Sequence, residues 1–147
     1  MEIIKITKLI WIIFALLSAI SAALVAIFGK IGVSHIDSTL ATTVRAIVMA
    51  LFLIVVSLFL DKFQLLKTID NKALTFIILA GISGALSWLF YFLALKLGPV
   101  SGVAALDRLS VIFVLIFSVI FLAEKLTLKS ALGAIFITIG AILMILK

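Results

Sequence analysis

The sequence predicts an all-α membrane protein, a bundle of five transmembrane helices. Three observations carry this. First, 67% of the 147 residues are hydrophobic and only 12% are charged, against roughly 45–50% apolar content in soluble domains. Second, long apolar runs recur five times between short charged connections. Third, those runs lack the period-two alternation of a membrane β-strand and exceed its length of roughly 10 residues. Water is therefore not the main solvent, and the bilayer sets the ruler at about 20 apolar residues per crossing helix.

The first helix is expected at 9–28, an uncharged stretch that follows Lys5 and Lys8 and is closed by Gly29, Lys30 and Gly32. Its apolar run is too long for a signal peptide and lacks a convincing small-residue cleavage site, so it reads as a retained helix. The second is expected at 38–60. It is uncharged only from Ala46 onward, so a full span takes Arg45 into the membrane. A polar connection carrying Asp61, Lys62, Lys67, Asp70 and Lys72 leads to the third, at 73–95. Lys96, Gly98 and Pro99 end it; glycine permits the turn, and proline suits the first position of the next helix. The fourth, at 100–123, is interrupted early by Asp107 and Arg108. Glu124, Lys125 and Lys129 separate it from the fifth, at 130–146. One transmembrane domain over 1–147 is expected, with no soluble domain beside it.

Composition narrows the chemistry. There is no cysteine, so no thiolate ligand or thiol nucleophile, and His35 is the only histidine. A multi-histidine metal site is excluded within one protomer. No nucleophile–base pair or phosphate-binding glycine loop is present, so neither an enzyme nor a cofactor or metal is expected. The net charge of +6 does not point to nucleic acid, because the lysines stand singly at helix ends, where they anchor helices at the lipid interface. Lys5, Lys8, Lys62, Lys67, Lys72, Lys125 and Lys129 fall on the N-terminal side, seven against the three of Lys30, Lys96 and Lys147. The positive-inside rule then favours a cytoplasmic N-terminus, and five crossings put the C-terminus outside.

A few side chains stand out inside the apolar runs. Arg45 lies about seven residues into the second helix, and Asp107 and Arg108 about as far into the fourth, counted from the same membrane side. A charge at the bilayer centre costs about 2.5–3.5 kcal/mol on insertion scales, so such residues face a partner or a wet cavity. Arg45 with Asp107 is the natural pair. Two readings stay open: a substrate or coupling-ion site, or a packing pair with arginines that snorkel to the interface. Trp88 and Tyr91, three apart on the third helix, are expected near the same depth, as pocket lining or as part of an interfacial aromatic belt. Ser110 is a small polar candidate for the cavity wall. Gly133 and Gly140, seven apart, share one stripe of the fifth helix and suit a helix–helix or subunit contact.

The runs Tyr91-Phe92-Leu93-Ala94-Leu95-Lys96-Leu97-Gly98-Pro99-Val100-Ser101, Phe121-Leu122-Ala123-Glu124-Lys125-Leu126 and Gly133-Ala134-Ile135-Phe136-Ile137-Thr138-Ile139-Gly140, in this order and spacing, resemble an EamA domain of the drug/metabolite transporter superfamily. Arg45 followed by Ala46 resembles the arginine that opens the family's second helix. The resemblance covers nearly the whole chain. It implies a secondary transporter of a small metabolite or drug-like molecule, working by alternating access in a membrane, here the plasma membrane of a prokaryote. In the family the domain usually occurs twice, in halves inserted in opposite directions around a central path. One copy cannot enclose such a path, so the resemblance implies a dimer, with an antiparallel homodimer or an oppositely inserted sister chain as partner. The Gly133 to Gly140 spacing also resembles the glycine heptad that forms the dimer contact of small multidrug resistance proteins.

There are two departures. The 9–28 run holds no acid, so the glutamate-based exchange of the small multidrug exporters does not carry over. Where ten-helix members commonly have a proline in helix four, this chain reads Asp107-Arg108-Leu109-Ser110. The pathway residues expected are Arg45, Trp88, Tyr91, Asp107, Arg108 and Ser110. Two arginines against one aspartate favour an anionic or zwitterionic substrate. The rival reading is a non-transporting scaffold or accessory subunit that uses the glycine stripe to hold another membrane protein. The lysine asymmetry favours a single orientation, while an antiparallel homodimer needs both.

Overall fold

The structure is a computed structural model that describes residues 2–146, with side chains from Ile10 onward. Among the described residues it is all-helical, without a strand. The order is α1 (Glu2–Gly32), α2 (Ser38–Phe59), a 3₁₀ segment (Phe63–Thr68), α3 (Asn71–Leu97), α4 (Val100–Asp107), α5 (Ser110–Leu122) and α6 (Leu128–Leu143). Among the described residues, four stretches are long and apolar enough to cross a membrane: Ile10–Gly32, Ser38–Phe59, Asn71–Leu97 and Val100–Leu122, the last formed by α4 and α5 in succession. The fifth expected span is the shorter helix α6, with 16 residues. At 1.5 Å per residue it measures about 24 Å, short of the roughly 30 Å hydrocarbon core.

Polar side chains fix where the helices begin. Asp37, in extended backbone (φ −64°, ψ 135°), caps α2 by accepting from the Thr39 and Leu40 N–H groups at 2.9 and 3.0 Å. Asp70 accepts from the Ala73 N–H at 2.7 Å, at the start of α3. Thr127 caps α6 by accepting from the Ser130 N–H at 3.1 Å. Each satisfies a backbone donor that the first turn cannot bond internally. Pro99 is the cap of α4 (φ −72°, ψ 140°) rather than its first residue, one position earlier than the sequence suggests. It still starts the helix, because its missing N–H and fixed φ cost nothing there. α5 stops at Ala123, in the left-handed region (φ 53°), while the Glu124 N–H donates to the Ser118 carbonyl at 3.2 Å.

The chain forms two compact units, one of Met1–Ile31 with Gly98–Lys147 and one of Gly32–Leu97. In the first, α4 packs on α6. Its buried residues are small: Ala26 and Gly29 on α1, Gly102, Val103 and Ala105 on α4, and Ala141 on α6. This is how helices approach closely in lipid, where apolar area alone gives no drive to associate. The Lys30 ammonium closes the end of α1 by donating to the Gly98 carbonyl at 2.8 Å. In the second unit α2 packs on α3, around Val33 and Leu95, both fully buried, and Phe92, 4% exposed. Lys96, in the last turn of α3, donates to the Ile36 carbonyl at 2.9 Å and ties down the loop that enters α2. Large apolar side chains such as Phe14, Phe52, Phe76, Phe90 and Phe121 lie exposed along the spans. That surface is costly in water and ordinary in lipid, as befits an integral membrane protein.

Candidate substrate site

The first turns of α2 carry Ser38, Thr39, Thr42, Thr43 and Arg45. The hydroxyls of Thr42 and Thr43 donate to the Ser38 and Thr39 carbonyls, at 2.8 and 2.9 Å. They satisfy themselves within the helix, which suits an apolar setting. Arg45 is the charged residue among them. Within its unit the carboxylates sit at helix ends and turns, where Asp37 and Asp70 cap helices and Asp61 accepts from the Gln64 amide. The backbone N–H of Leu40 is the main cause that holds the Asp37 carboxyl below its ordinary pKa; the Thr39 bonds and the charge of Lys96 add to it against some desolvation.

Arg45 meets an aromatic face instead. On α3, Trp88, Tyr91 and Phe92 stand at i, i+3 and i+4, on neighbouring parts of one helix face. The guanidinium carbon of Arg45 is 3.5 Å from the centre of the Trp88 ring and 5.6 Å from that of Phe92. At 3.5 Å the cation sits directly over the face of the indole, where the ring quadrupole is attractive. Tyr91 and Phe92 each meet Trp88 edge-on, with centroids 5.5 and 6.1 Å away and interplanar angles of 77° and 66°. The edge-to-face contacts and the burial of Phe92 fix the indole, and the indole fixes the guanidinium. Arg45 and Trp88 are themselves half-buried. Counted along the helices, Arg45 is seven residues from the start of α2 and Trp88 nine from the end of α3, roughly 10–14 Å inside each.

In the other unit, Asp107 is the last residue of α4, Arg108 its cap and Ser110 the first residue of α5, all three exposed. Here the helical bonding tightens. The N–H groups of Arg108, Leu109, Val111 and Ile112 donate three residues back, to the carbonyls of Ala105, Leu106, Arg108 and Leu109, at 3.2, 2.9, 3.1 and 2.9 Å. A 3₁₀ stretch inside an otherwise continuous span often marks a hinge. On α6, Ala131, Ala134, Thr138 and Ala141 form the covered face. Gly133 and Gly140 lie one position off it, about 100° around the helix, and among the described residues nothing beyond the chain neighbours and the helix's own backbone comes within 4 Å of where a Cβ would stand.

The structure thus joins Arg45, Trp88 and Tyr91 in one cluster and sets Asp107, Arg108 and Ser110 together at the α4–α5 break. Phe92 is the member that the sequence reading passed over, although its i+4 spacing from Trp88 is the signal that finds it. The contact of Arg45 with an aromatic ring was likewise missed, because charge balance had directed attention to Asp107.

A spanning all-α chain with a fixed cation inside a half-buried aromatic cluster has the makings of a membrane transporter. The comparisons with known proteins name the family. Residues 9–146 match the EamA-like transporter family, and the chain belongs to it. A protein of Sinorhizobium sp. described as "Uncharacterized transporter in cobO 3'region" is 43% identical over 134 residues, which cover 91% of this chain and 95% of that protein. No solved structure matches.

Proposed function

We propose that this chain is a secondary transporter of a small anionic or zwitterionic metabolite, working by alternating access as a dimer, with the antiparallel arrangement favoured. The observation that carries the reading is the Arg45–Trp88 stack. A guanidinium is costly to place in a spanning helix, and here aromatic packing holds it without a carboxylate of its own unit to neutralise it. That leaves its N–H edges for a substrate anion. Arg45, Trp88, Tyr91, Asp107, Arg108 and Ser110 line or organise the pathway, with Arg45 and Arg108 holding the anionic group and Asp107 orienting them or exchanging a proton. All five apolar segments cross, the short α6 by local thinning of the bilayer or by pairing with a second subunit. The tightened turn at Arg108 and Leu109 supplies the hinge of an interrupted helix, the feature around which transporter sites are commonly built.

The open glycine face of α6 supports a subunit contact through Gly133 and Gly140. It serves a homodimer, a sister chain or a different membrane protein equally well, and so keeps a second reading in play, that of an accessory subunit. Reconstitution of the purified chain alone, followed by uptake of a labelled mixture of amino and organic acids, separates the two. Accumulation of any component above protein-free vesicles supports the transporter. Absence of flux together with a partner that co-purifies in fixed ratio contradicts it in favour of the accessory subunit.

A further inference from the structure

We propose that the connection between α2 and α3 is a docking surface for acidic phospholipid: residues 62–69 lie in the membrane interface, with an apolar stripe toward the acyl chains and lysines on the headgroup phosphates. The surface stands at the opposite end of α2 from Arg45, about 21 Å along the helix, and does not depend on what the Arg45 cluster binds.

Span length places the segment at the membrane boundary. α2 has 22 residues and α3 has 27, about 33 and 40 Å of helix, each enough for the roughly 30 Å hydrocarbon core. The chain therefore leaves the core near Phe59 and returns to it from Asn71, and the 3₁₀ segment between them stays at the surface.

Hydrogen bonds fix the turn out of α2. Asp61 adopts φ 52°, a left-handed conformation that aspartate tolerates better than most residues. The Lys62 N–H donates to the Ser57 carbonyl at 2.9 Å and the Asp61 N–H to the Leu58 carbonyl at 3.1 Å, the two bonds of a Schellman stop. The Gln64 side-chain amide donates to the Asp61 carboxylate at 2.6 Å. At the far end the Thr68 hydroxyl donates to the Leu65 carbonyl at 2.7 Å, and the Ile69 N–H to the Leu66 carbonyl at 3.3 Å.

The segment that leaves this turn is two-sided. Three residues per turn eclipse the side chains at i and i+3. Phe63, Leu66 and Ile69 thus share one stripe, Gln64 and Lys67 a second, and Lys62, Leu65 and Thr68 a third. The first stripe is 40, 58 and 39% exposed, so the described chain leaves it open. From 62 to 69 the only charges are Lys62 and Lys67. The flanking aspartates are taken up at helix ends, Asp61 by the Gln64 amide and Asp70 by the Ala73 N–H at 2.7 Å. An apolar stripe beside lysines suits a segment that sinks into the acyl boundary and is drawn there by acidic headgroups. Lysine stems follow apolar surface while their ammoniums reach the phosphates. The leaflet is also the surface that the flanking spans already hold against this stripe.

Nitroxide labels on single cysteines test this, since the chain has no cysteine of its own. Leu66→Cys and Gln64→Cys, exposed positions on the apolar and a polar stripe, are labelled and reconstituted in phosphatidylcholine liposomes with or without about 30% phosphatidylglycerol. The ratio of relaxation by oxygen to relaxation by a water-soluble nickel chelate reports depth, and circular dichroism verifies the helicity of each variant. Oxygen is expected to dominate at Leu66→Cys and nickel at Gln64→Cys. Phosphatidylglycerol is expected to raise the Leu66→Cys ratio at least about twofold. Lys62→Gln with Lys67→Gln removes that response, and Lys62→Arg with Lys67→Arg keeps it. A nickel-dominated Leu66→Cys label in both lipids overturns the inference. So does a depth indifferent to phosphatidylglycerol and to the lysine substitutions, which would make the segment an apolar anchor without headgroup recognition. Protection of the Leu66→Cys label from both reagents also overturns it, since protein would then cover the stripe.

Discussion

The guanidinium of Arg45 lies 3.5 Å over the ring of Trp88, so a charge on α2 is held by an aromatic residue on α3 at matching depth. The contact joins α2 to α3 in the unit that buries Val33, Phe92 and Leu95, and it holds the arginine side chain over the ring. Cation–π contacts contribute about 2 kcal/mol when desolvated. Trp88→Leu is therefore expected to lower thermal stability by about that amount, with Trp88→Phe costing roughly half. Circular dichroism melts in detergent check this; equal melting of Trp88→Leu and wild type contradicts it.

Asp37 makes the entry to α2 sensitive to acid. Its carboxyl is held below the ordinary value mainly by the Leu40 N–H, with the Thr39 bonds and Lys96 adding to the effect. For a carboxylate with a lowered folded pKa, the stabilisation is fully present above the unfolded value of about 3.9 and is lost as pH falls through the folded one. Asp37→Asn keeps a capping oxygen but does not titrate. Melts between pH ~6 and ~2 are expected to show a fall in the wild type that is smaller in Asp37→Asn. Parallel curves for the two proteins contradict the assignment.

The connection from α5 to α6 holds two opposing single-residue effects. Ala123 adopts φ 53°, a left-handed conformation that costs a residue with a Cβ about 1 kcal/mol, so Ala123→Gly is expected to stabilise. Thr127 caps α6 through the Ser130 N–H, and Thr127→Ala is expected to destabilise by about 1 kcal/mol. Opposite shifts in melting temperature are the check, and shifts of the same sign contradict this account of the loop.

α6 separates its two faces by one residue. Ala141 is buried against its own unit and Gly140 is open. Ala141→Leu is expected to lower monomer stability, whereas Gly140→Leu is expected to leave helicity unchanged and weaken self-association. Gly140→Cys, in a chain without other cysteines, is expected to form a disulfide-linked dimer on mild oxidation. Light scattering and non-reducing gels decide; a Gly140→Leu protein that associates as the wild type does contradicts the proposed contact.

The helical class and the family were legible in the sequence for separate reasons. Apolar runs of about span length without period-two alternation leave helices as the only way to satisfy the backbone in lipid, and the ordered motifs around Gly98-Pro99, Glu124 and Gly133 carry the family. The partner of Arg45 was not legible. Helix spacing places Arg45 and Trp88 at similar depth but does not give the rotation of one helix against another. The tightening at Arg108 was only half legible, because Asp107 and Arg108 mark an interruption in hydropathy without stating that the bonding changes from four residues to three. The shortness of α6 was hidden too, since the apolar run continues through Met144, Ile145 and Leu146 after the helix ends at Leu143.

The most direct test of the central claim is uptake into proteoliposomes that hold equal amounts of wild type or Arg45→Ala, with folding verified by circular dichroism. A labelled mixture of amino and organic acids serves as the probe, and Arg45→Lys is run beside them. The account predicts accumulation by the wild type, at least tenfold slower uptake by Arg45→Ala, and an intermediate rate for Arg45→Lys, in line with the loss of a charge-assisted fork worth about 1.5–3 kcal/mol. Undiminished uptake by well-folded Arg45→Ala would contradict it, and would move the pathway away from the Arg45–Trp88 cluster.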